Sequence, residues 1–131
     1  MKSKKRILVI DDEEKLCRII QRRLELSGEY EVVVTFSGVE GLEAASKQSF
    51  DLVITDVKMP GMEGSEVIKT LKAKQPKLPV VLFSVYHDDI TIVTPELRNL
   101  VDGLLAKPID HDKLQTTIAA ALASSAASEE D

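Results

Sequence analysis

The chain has almost none of the residues that build cross-linked or metal-thiolate proteins. One cysteine, Cys17, occurs among 131 residues, which excludes an internal disulfide framework. It lies in a helical pattern with no spaced histidine, so it reads as a small packing residue or a helix-flank thiol rather than a nucleophile. The two histidines, His87 and His111, lack matching metal partners and read as surface residues. Long apolar runs are missing as well. Met1-Lys-Ser-Lys-Lys-Arg6 resembles the charged start of a signal peptide, but only Ile7 to Ile10 follow before Asp11 and Asp12. Four apolar residues are too few for a signal core or a membrane span, and a soluble, cytoplasmic protein with no membrane contact is the expectation. Charge is close to balanced: 17 Lys and Arg stand against 22 Asp and Glu, a net charge of −5, with no block of like charges long enough to form a tail. Binding nucleic acid needs a clustered basic face, so this chain alone is expected not to bind it.

What the chain does have is an alternation of two apolar periods, with no internal repeat. Lys5 to Ile10 reads as a buried strand. Glu14 to Ser27 reads as a helix with Leu16, Ile19, Ile20 and Leu24 on one face, stopped by Gly28. Tyr30 to Phe36 is β-branched, and Ser37 can cap a second helix carrying Val39, Leu42 and Ala45 inward. Leu52 to Thr55 is a third strand. Beyond the Pro60-Gly61 turn, Ser65 to Lys74 puts Val67, Ile68 and Leu71 on one side of a third helix, and Val80 to Ser84 is a fourth strand. The pattern loosens over His87 to Val101. Gly103 to Ala106 forms a short fifth strand, and Asp110 caps a last helix that points Leu114, Ile118, Ala121 and Leu122 inward. Residues 124–131 have lost the apolar pattern and read as a frayed helix end or the start of a linker, leaving 1–123 as a single domain.

Strands that are apolar without alternation, separated by helices, imply an α/β fold with a parallel sheet covered on both faces. A doubly wound, flavodoxin-like sheet of order 2-1-3-4-5 is the natural closure. Such sheets bind ligands beyond the carboxyl ends of their strands, where the winding reverses. Asp11, Asp12 and Glu13 follow strand one, and strand three ends at Asp56. Each aspartate by itself suits a helix cap or a turn. Three at one sheet edge repel, and a hard divalent cation such as Mg²⁺ would offset them. Ser84 ends strand four and Lys107 follows strand five, adding a hydroxyl donor and a point-charge ammonium to the same edge.

Ile10-Asp-Asp-Glu13, Asp51-Leu-Val-Ile-Thr-Asp56 followed by Met59-Pro-Gly-Met-Glu-Gly64, Phe83-Ser84, and Asp102-Gly103 with Lys107-Pro108 together resemble a bacterial response-regulator receiver domain, from Lys5 to about Leu122. The resemblance implies that Asp56 is a phosphoacceptor charged by a sensor histidine kinase, a histidine phosphotransfer protein or a small phosphodonor. It implies Mg²⁺ bound by Asp12, Asp56 and the backbone carbonyl of Lys58, with Asp11 acting through water. Ser84 and Lys107 would then turn toward the phosphoryl group. A cis peptide before Pro108 is implied, as is signalling to a downstream protein or output domain through helix four, strand five and helix five. The only chemistry implied is on the chain itself.

Three departures fall on or beside that output surface. Leu104 stands where the family usually has an aromatic ring, and Val85 where a small residue is common. Thr94-Pro95-Glu96 places the start of a short fourth helix near Pro95, leaving His87 to Val93 irregular. Lys58 and Tyr86 lie two residues beyond Asp56 and Ser84, where they either shield an acyl phosphate or are solvated loop residues. A receiver that keeps the site but signals without phosphate stays open as an alternative. An aspartyl phosphatase is disfavoured because Lys58 stands where a second aspartate belongs. A flavodoxin is disfavoured because Asp-Asp-Glu-Glu would repel a phosphate group.

Overall fold

The computed structural model describes residues 4–57, 59–84 and 94–130. The expectations for Lys58, Val85, Tyr86, His87 and the irregular stretch up to Val93 fall outside the described residues, as does the side chain of Ser84. Strands β1 (Lys5–Ile10), β2 (Tyr30–Thr35), β3 (Leu52–Asp56), β4 (Val80–Ser84) and β5 (Gly103–Ala106) alternate with helices α1 (Glu14–Glu25), α2 (Gly38–Lys47), α3 (Gly64–Lys74), α4 (Pro95–Leu100) and α5 (His111–Glu130). The strands form one parallel sheet in the order β2-β1-β3-β4-β5. β1 shows why its sequence lacks alternation. Ile7 and Val9 pack with Cys17, Ile20, Leu114 and Ile118 on one face, while Leu8 and Ile10 pack with Val67, Ile68 and Leu71 on the other. A strand with helices on both sides has no solvent face to mark with polar residues.

Local chemistry sets several helix ends. Ser37 Oγ accepts from Glu40 N at 3.1 Å, and the Glu40 carboxylate accepts in turn from Phe36 N at 3.2 Å, a reciprocal cap. Thr94 Oγ1 accepts from Leu97 N at 3.1 Å with Pro95 in the first turn, so the short fourth helix begins where its residues place it. Asp110 Oδ1 accepts from Lys113 N at 3.1 Å. Gly28 adopts φ 78° just past α1. The last helix continues to Glu130, past the end of its apolar stripe. Among the described residues no helix is long and apolar enough to cross a membrane.

Two helix faces differ from their periodicity. On α1 the buried stripe is Cys17, Ile20 and Leu24, while Ile19 is 46% exposed. The i, i+3, i+7 set defines the core line, and Ile19 sits one step aside from it. On α2, Val39 is exposed and Gly38 and Gly41 take the inner face. A Cβ on Gly41 would lie 2.4 Å from Ile10 Cδ1, so a larger residue there would require the Ile10 side chain to shift.

Cys17 is fully buried, and its thiol donates to the Asp11 carbonyl at 3.2 Å. Burial, reinforced by the charge of Asp11, pushes it up to about 12. An exposed thiol ionises near 9.0, so the unfolded chain loses this proton first and stability falls as pH rises from there toward the folded value. Iodoacetamide is therefore expected to alkylate native Cys17 about a thousandfold more slowly than denatured Cys17 near neutral pH, since only thiolate reacts. Peptide mass spectrometry of the alkylated cysteine checks this, and equal rates would mean that α1 does not pack as described.

Candidate functional site

The parallel register brings the functional side chains to one edge. Ile10 pairs with Thr55, so Asp11 and Asp56 each lie one residue beyond that pair on neighbouring strands. Asp56 pairs with Phe83 on β4, and Ser84 pairs with Ala106 on β5, which places Lys107 two strands from Asp56. Its long stem closes the gap by crossing Phe83, with Nζ 5.9 Å from the ring centroid. Nζ then lies 2.9 Å from Asp11 Oδ2, 3.3 Å from Asp56 Oδ2 and 3.4 Å from Glu13 Oε1.

Asp11 and Asp56 are buried and Asp12 is exposed, and one oxygen from each lies within 4.8 Å of the other two. Asp11 acts in two directions. Its Oδ1 accepts from Glu13 N at 2.9 Å, closing the loop as an Asx turn. Its Oδ2 is buried and paired with the Lys107 ammonium at 2.9 Å. Burial pushes the Asp11 carboxyl up, against the opposing pull of the Glu13 amide and of Lys107. For Lys107, burial works downward, but the hydrogen bond to Asp11 and the charges of Asp11, Asp56 and Glu13 outweigh it and raise the ammonium above its ordinary 10.5. The stability this cation contributes is thus complete below the ordinary value and is lost only as pH climbs through the higher folded one.

The backbone under Asp56 is tightly held. Val57 N donates to Phe83 O at 3.0 Å, Gly64 N donates to Val57 O at 2.9 Å, and Thr55 Oγ1 donates to Asp56 O at 3.1 Å. Between Val57 and Gly64 the chain turns through Pro60-Gly61, with Gly61 at φ 86°. The Lys107–Pro108 peptide is cis.

Of the residues expected at the site, Asp11, Asp12, Asp56 and Lys107 come together. β4 delivers Ser84 to the same edge, while its hydroxyl and the Lys58 carbonyl lie outside the described part. The sequence offered no role for Glu13, although it stands in the Ile10-Asp-Asp-Glu13 run, nor for Gly64, whose backbone touches Asp56. His111 is exposed at the start of α5, as expected of a surface residue.

Residues 7–119 match the response regulator receiver domain family model. The chain is 38% identical over 123 residues to the transcriptional regulatory protein ZraR of Klebsiella oxytoca, covering 94% of this chain and 27% of ZraR. It is thus about a quarter of the length of that relative. Among solved structures, a response regulator receiver domain protein from Clostridium thermocellum superposes with TM-score 0.83 at 31% identity, covering 92% of this chain and 95% of that one. The response regulator protein TrrA from Thermotoga maritima, crystallised in complex with Mg²⁺ and BeF, gives TM-score 0.81 at 28% identity, covering 89% of this chain and 98% of that one. A β2-β1-β3-β4-β5 sheet, carboxylates after β1 and β3 with a lysine after β5, and a family match across nearly the whole fold converge on one conclusion: this chain belongs to the response regulator receiver domain family.

Proposed function

We propose that the chain is a two-component phosphorylation switch in which Asp56 accepts a phosphoryl group from a sensor histidine kinase or a histidine phosphotransfer protein. The observation that carries this reading is the meeting of Lys107 with Asp11 and Asp56 at the carboxyl edge of the sheet. A carboxylate nucleophile, further carboxylates for a cation, and an ammonium able to pass from carboxylate to phosphoryl oxygen all lie within reach of one another.

The donor set fits Mg²⁺. It consists of carboxylate oxygens, which a hard cation prefers, and one oxygen from each of Asp11, Asp12 and Asp56 lies within 4.8 Å of the other two. Asp12 and Asp56 would hold the ion directly and Asp11 through water, with the Lys58 carbonyl as a further ligand. When bound, the ion supplies charge that offsets the carboxylates and the phosphoryl oxygens. The Mg²⁺ and BeF in TrrA support the same assignment here.

Asp56 would attack the phosphorus in line, forming the carboxyl O–P bond as the donor P–N bond breaks. Lys107 would follow the charge onto a phosphoryl oxygen, and the Ser84 hydroxyl would donate to another. That transfer would draw Lys107 toward the phosphoryl group and shift the chain after β5. The exposed Leu104 on β5 supports an output face formed by α4, β5 and α5, read by a downstream protein or an attached output domain. The chain would assist only its own phosphorylation and dephosphorylation.

Incubation with acetyl phosphate tests the reading. Intact mass is expected to rise by one phosphoryl group with Mg²⁺ and to stay unchanged with EDTA, and no gain under either condition would sink the proposal. The metal assignment has its own expected result. Mg²⁺ at a hundredfold excess over its dissociation constant stabilises the fold by about 2.7 kcal/mol, read as a rise in melting temperature that EDTA reverses. Asp12→Asn should remove most of that rise, and a full rise in the variant would place the ion elsewhere.

A further inference from the structure

β2 is an edge strand of the sheet, and an edge strand offers a row of unpaired N–H and C=O groups on which another strand can add. The direction of those groups follows from the bonds at its two ends. Glu29 O accepts from Lys5 N at 3.0 Å and Thr35 O accepts from Asp11 N at 3.1 Å, so Glu29 and Thr35 both face β1. Backbone groups alternate in direction along a strand. Glu31 and Val33 therefore face β1 as well, and Tyr30, Val32 and Val34 turn their N–H and C=O away from the sheet. Those residues are the open edge, and Val32 is its middle.

Both outward groups of Val32 are already taken. Its carbonyl accepts from Gln21 Nε2 at 3.0 Å, and its N–H donates to Glu25 Oε2 at 3.2 Å. Gln21 and Glu25 lie one turn apart on α1, so they stand one above the other on the same side of the helix. The helix is held in place by Ile20 and Leu24, which share a core cluster with the Val32 side chain. A donor for the carbonyl and an acceptor for the N–H are what a neighbouring strand would supply. The two side chains take the place of that strand at the centre of the edge, and Glu25 adds a charge that an incoming strand would have to displace or bury.

We infer that Gln21 and Glu25 block self-association at this edge, keeping the β2 strand of one copy from adding to the β2 strand of another. A second copy of this chain is the partner the edge fits. Two identical strands related by a two-fold axis run antiparallel and can put a residue opposite itself. In a hydrogen-bonded pair of this kind the two residues exchange both N–H···O bonds. With Val32 opposite Val32, the groups exchanged are the ones that Gln21 and Glu25 hold. The strand itself, Tyr30-Glu-Val-Val-Val-Thr35, is rich in β-branched residues and suited to pairing once uncovered. This block lies apart from Asp56 and does not depend on its chemistry.

The test is sedimentation velocity of the full chain over a range of concentrations, comparing wild type with the double variant Gln21→Ala/Glu25→Ala. Each hydrogen bond that no longer has to be displaced is worth roughly fivefold in the pairing equilibrium, so the double variant is expected to dimerise about twenty-five times more tightly than wild type. Hydrogen exchange locates the contact. In the double variant the peptide spanning residues 30–35 should exchange more slowly as protein concentration rises. A double variant that sediments like wild type overturns the inference. Dimerisation without added protection of residues 30–35 overturns it too, because the contact then lies elsewhere. Far-ultraviolet circular dichroism identifies a double variant that does not fold. Gln21→Ala and Glu25→Ala are then scored singly, each with a change of roughly fivefold expected, and unchanged association in both overturns the block equally.

Discussion

Asp56→Asn is expected to lower the initial rate of Mg²⁺-dependent phosphorylation by acetyl phosphate by about a thousandfold or more, the scale on which loss of a covalent nucleophile acts. The amide is nearly the same size as the carboxylate but has no anionic oxygen to attack phosphorus. Intact-mass measurement over time reads the effect directly. Stability should change little by comparison. The substitution takes one carboxylate from Lys107, but Asp11 and Glu13 remain 2.9 and 3.4 Å from the ammonium, and repulsion between Asp11 and Asp56 is relieved. A variant that gains a phosphoryl group at the wild-type rate would move the acceptor to another residue and end the assignment. A variant that fails to fold would separate from this outcome in its far-ultraviolet circular dichroism.

Gly64→Ala is expected to damage fold and site together. A Cβ at this position would lie 1.9 Å from Asp56 O and 2.9 Å from both Asp56 C and Val57 Cα. All three are backbone atoms of β3 or its exit, so no side chain can rotate away to make room. Forced overpacking of this kind typically costs about 1–3 kcal/mol, and the upper end applies where backbone meets backbone. Relief requires α3 or the end of β3 to shift, and β3 carries Asp56, the proposed phosphoacceptor. The variant should therefore lose about 3 kcal/mol in urea unfolding and also phosphorylate more slowly than wild type. Gly61→Ala is the control. Gly61 has φ 86° and nothing within 4 Å of a Cβ, so it should cost only about 1 kcal/mol of backbone strain. If Gly61→Ala is the more damaging of the two, the close approach of α3 to Asp56 is not as described.

Leu104 shows how a departure in sequence becomes a physical question about output. It is 43% exposed on the edge strand β5, immediately before the buried Leu105. A leucine has no ring plane to swap between inward and outward packing. Signalling by this face in the proposed switch would thus not use rotation of an aromatic side chain at position 104.

The order of the strands, the faces of α3 and α5, and the caps at Ser37, Thr94 and Asp110 could be read from the chain before any coordinates. The faces and caps depend on residues within a turn or two of one another, through apolar period, hydroxyl or carboxylate caps, and proline placement, and the strand order follows from the usual closure of a doubly wound parallel sheet. The acidic edge was legible for the same reason, since a parallel sheet sends every strand's carboxyl end to one side. Ile19 and Val39 were misread because period alone does not say which of two adjacent apolar positions points at the sheet. That choice follows the depth of helix packing, which Gly41 against Ile10 sets for α2.

By itself, then, the sequence determined a doubly wound sheet with Asp11, Asp12, Asp56 and Lys107 at one edge, because local periodicity and chain direction suffice for that. Only the tertiary structure decided that Lys107 crosses Phe83 to meet Asp11, Asp56 and Glu13, and that Gly64 must lack a side chain beneath Asp56. These are distances between segments far apart in the chain, set by how closely helices settle on the sheet, and no local pattern encodes them.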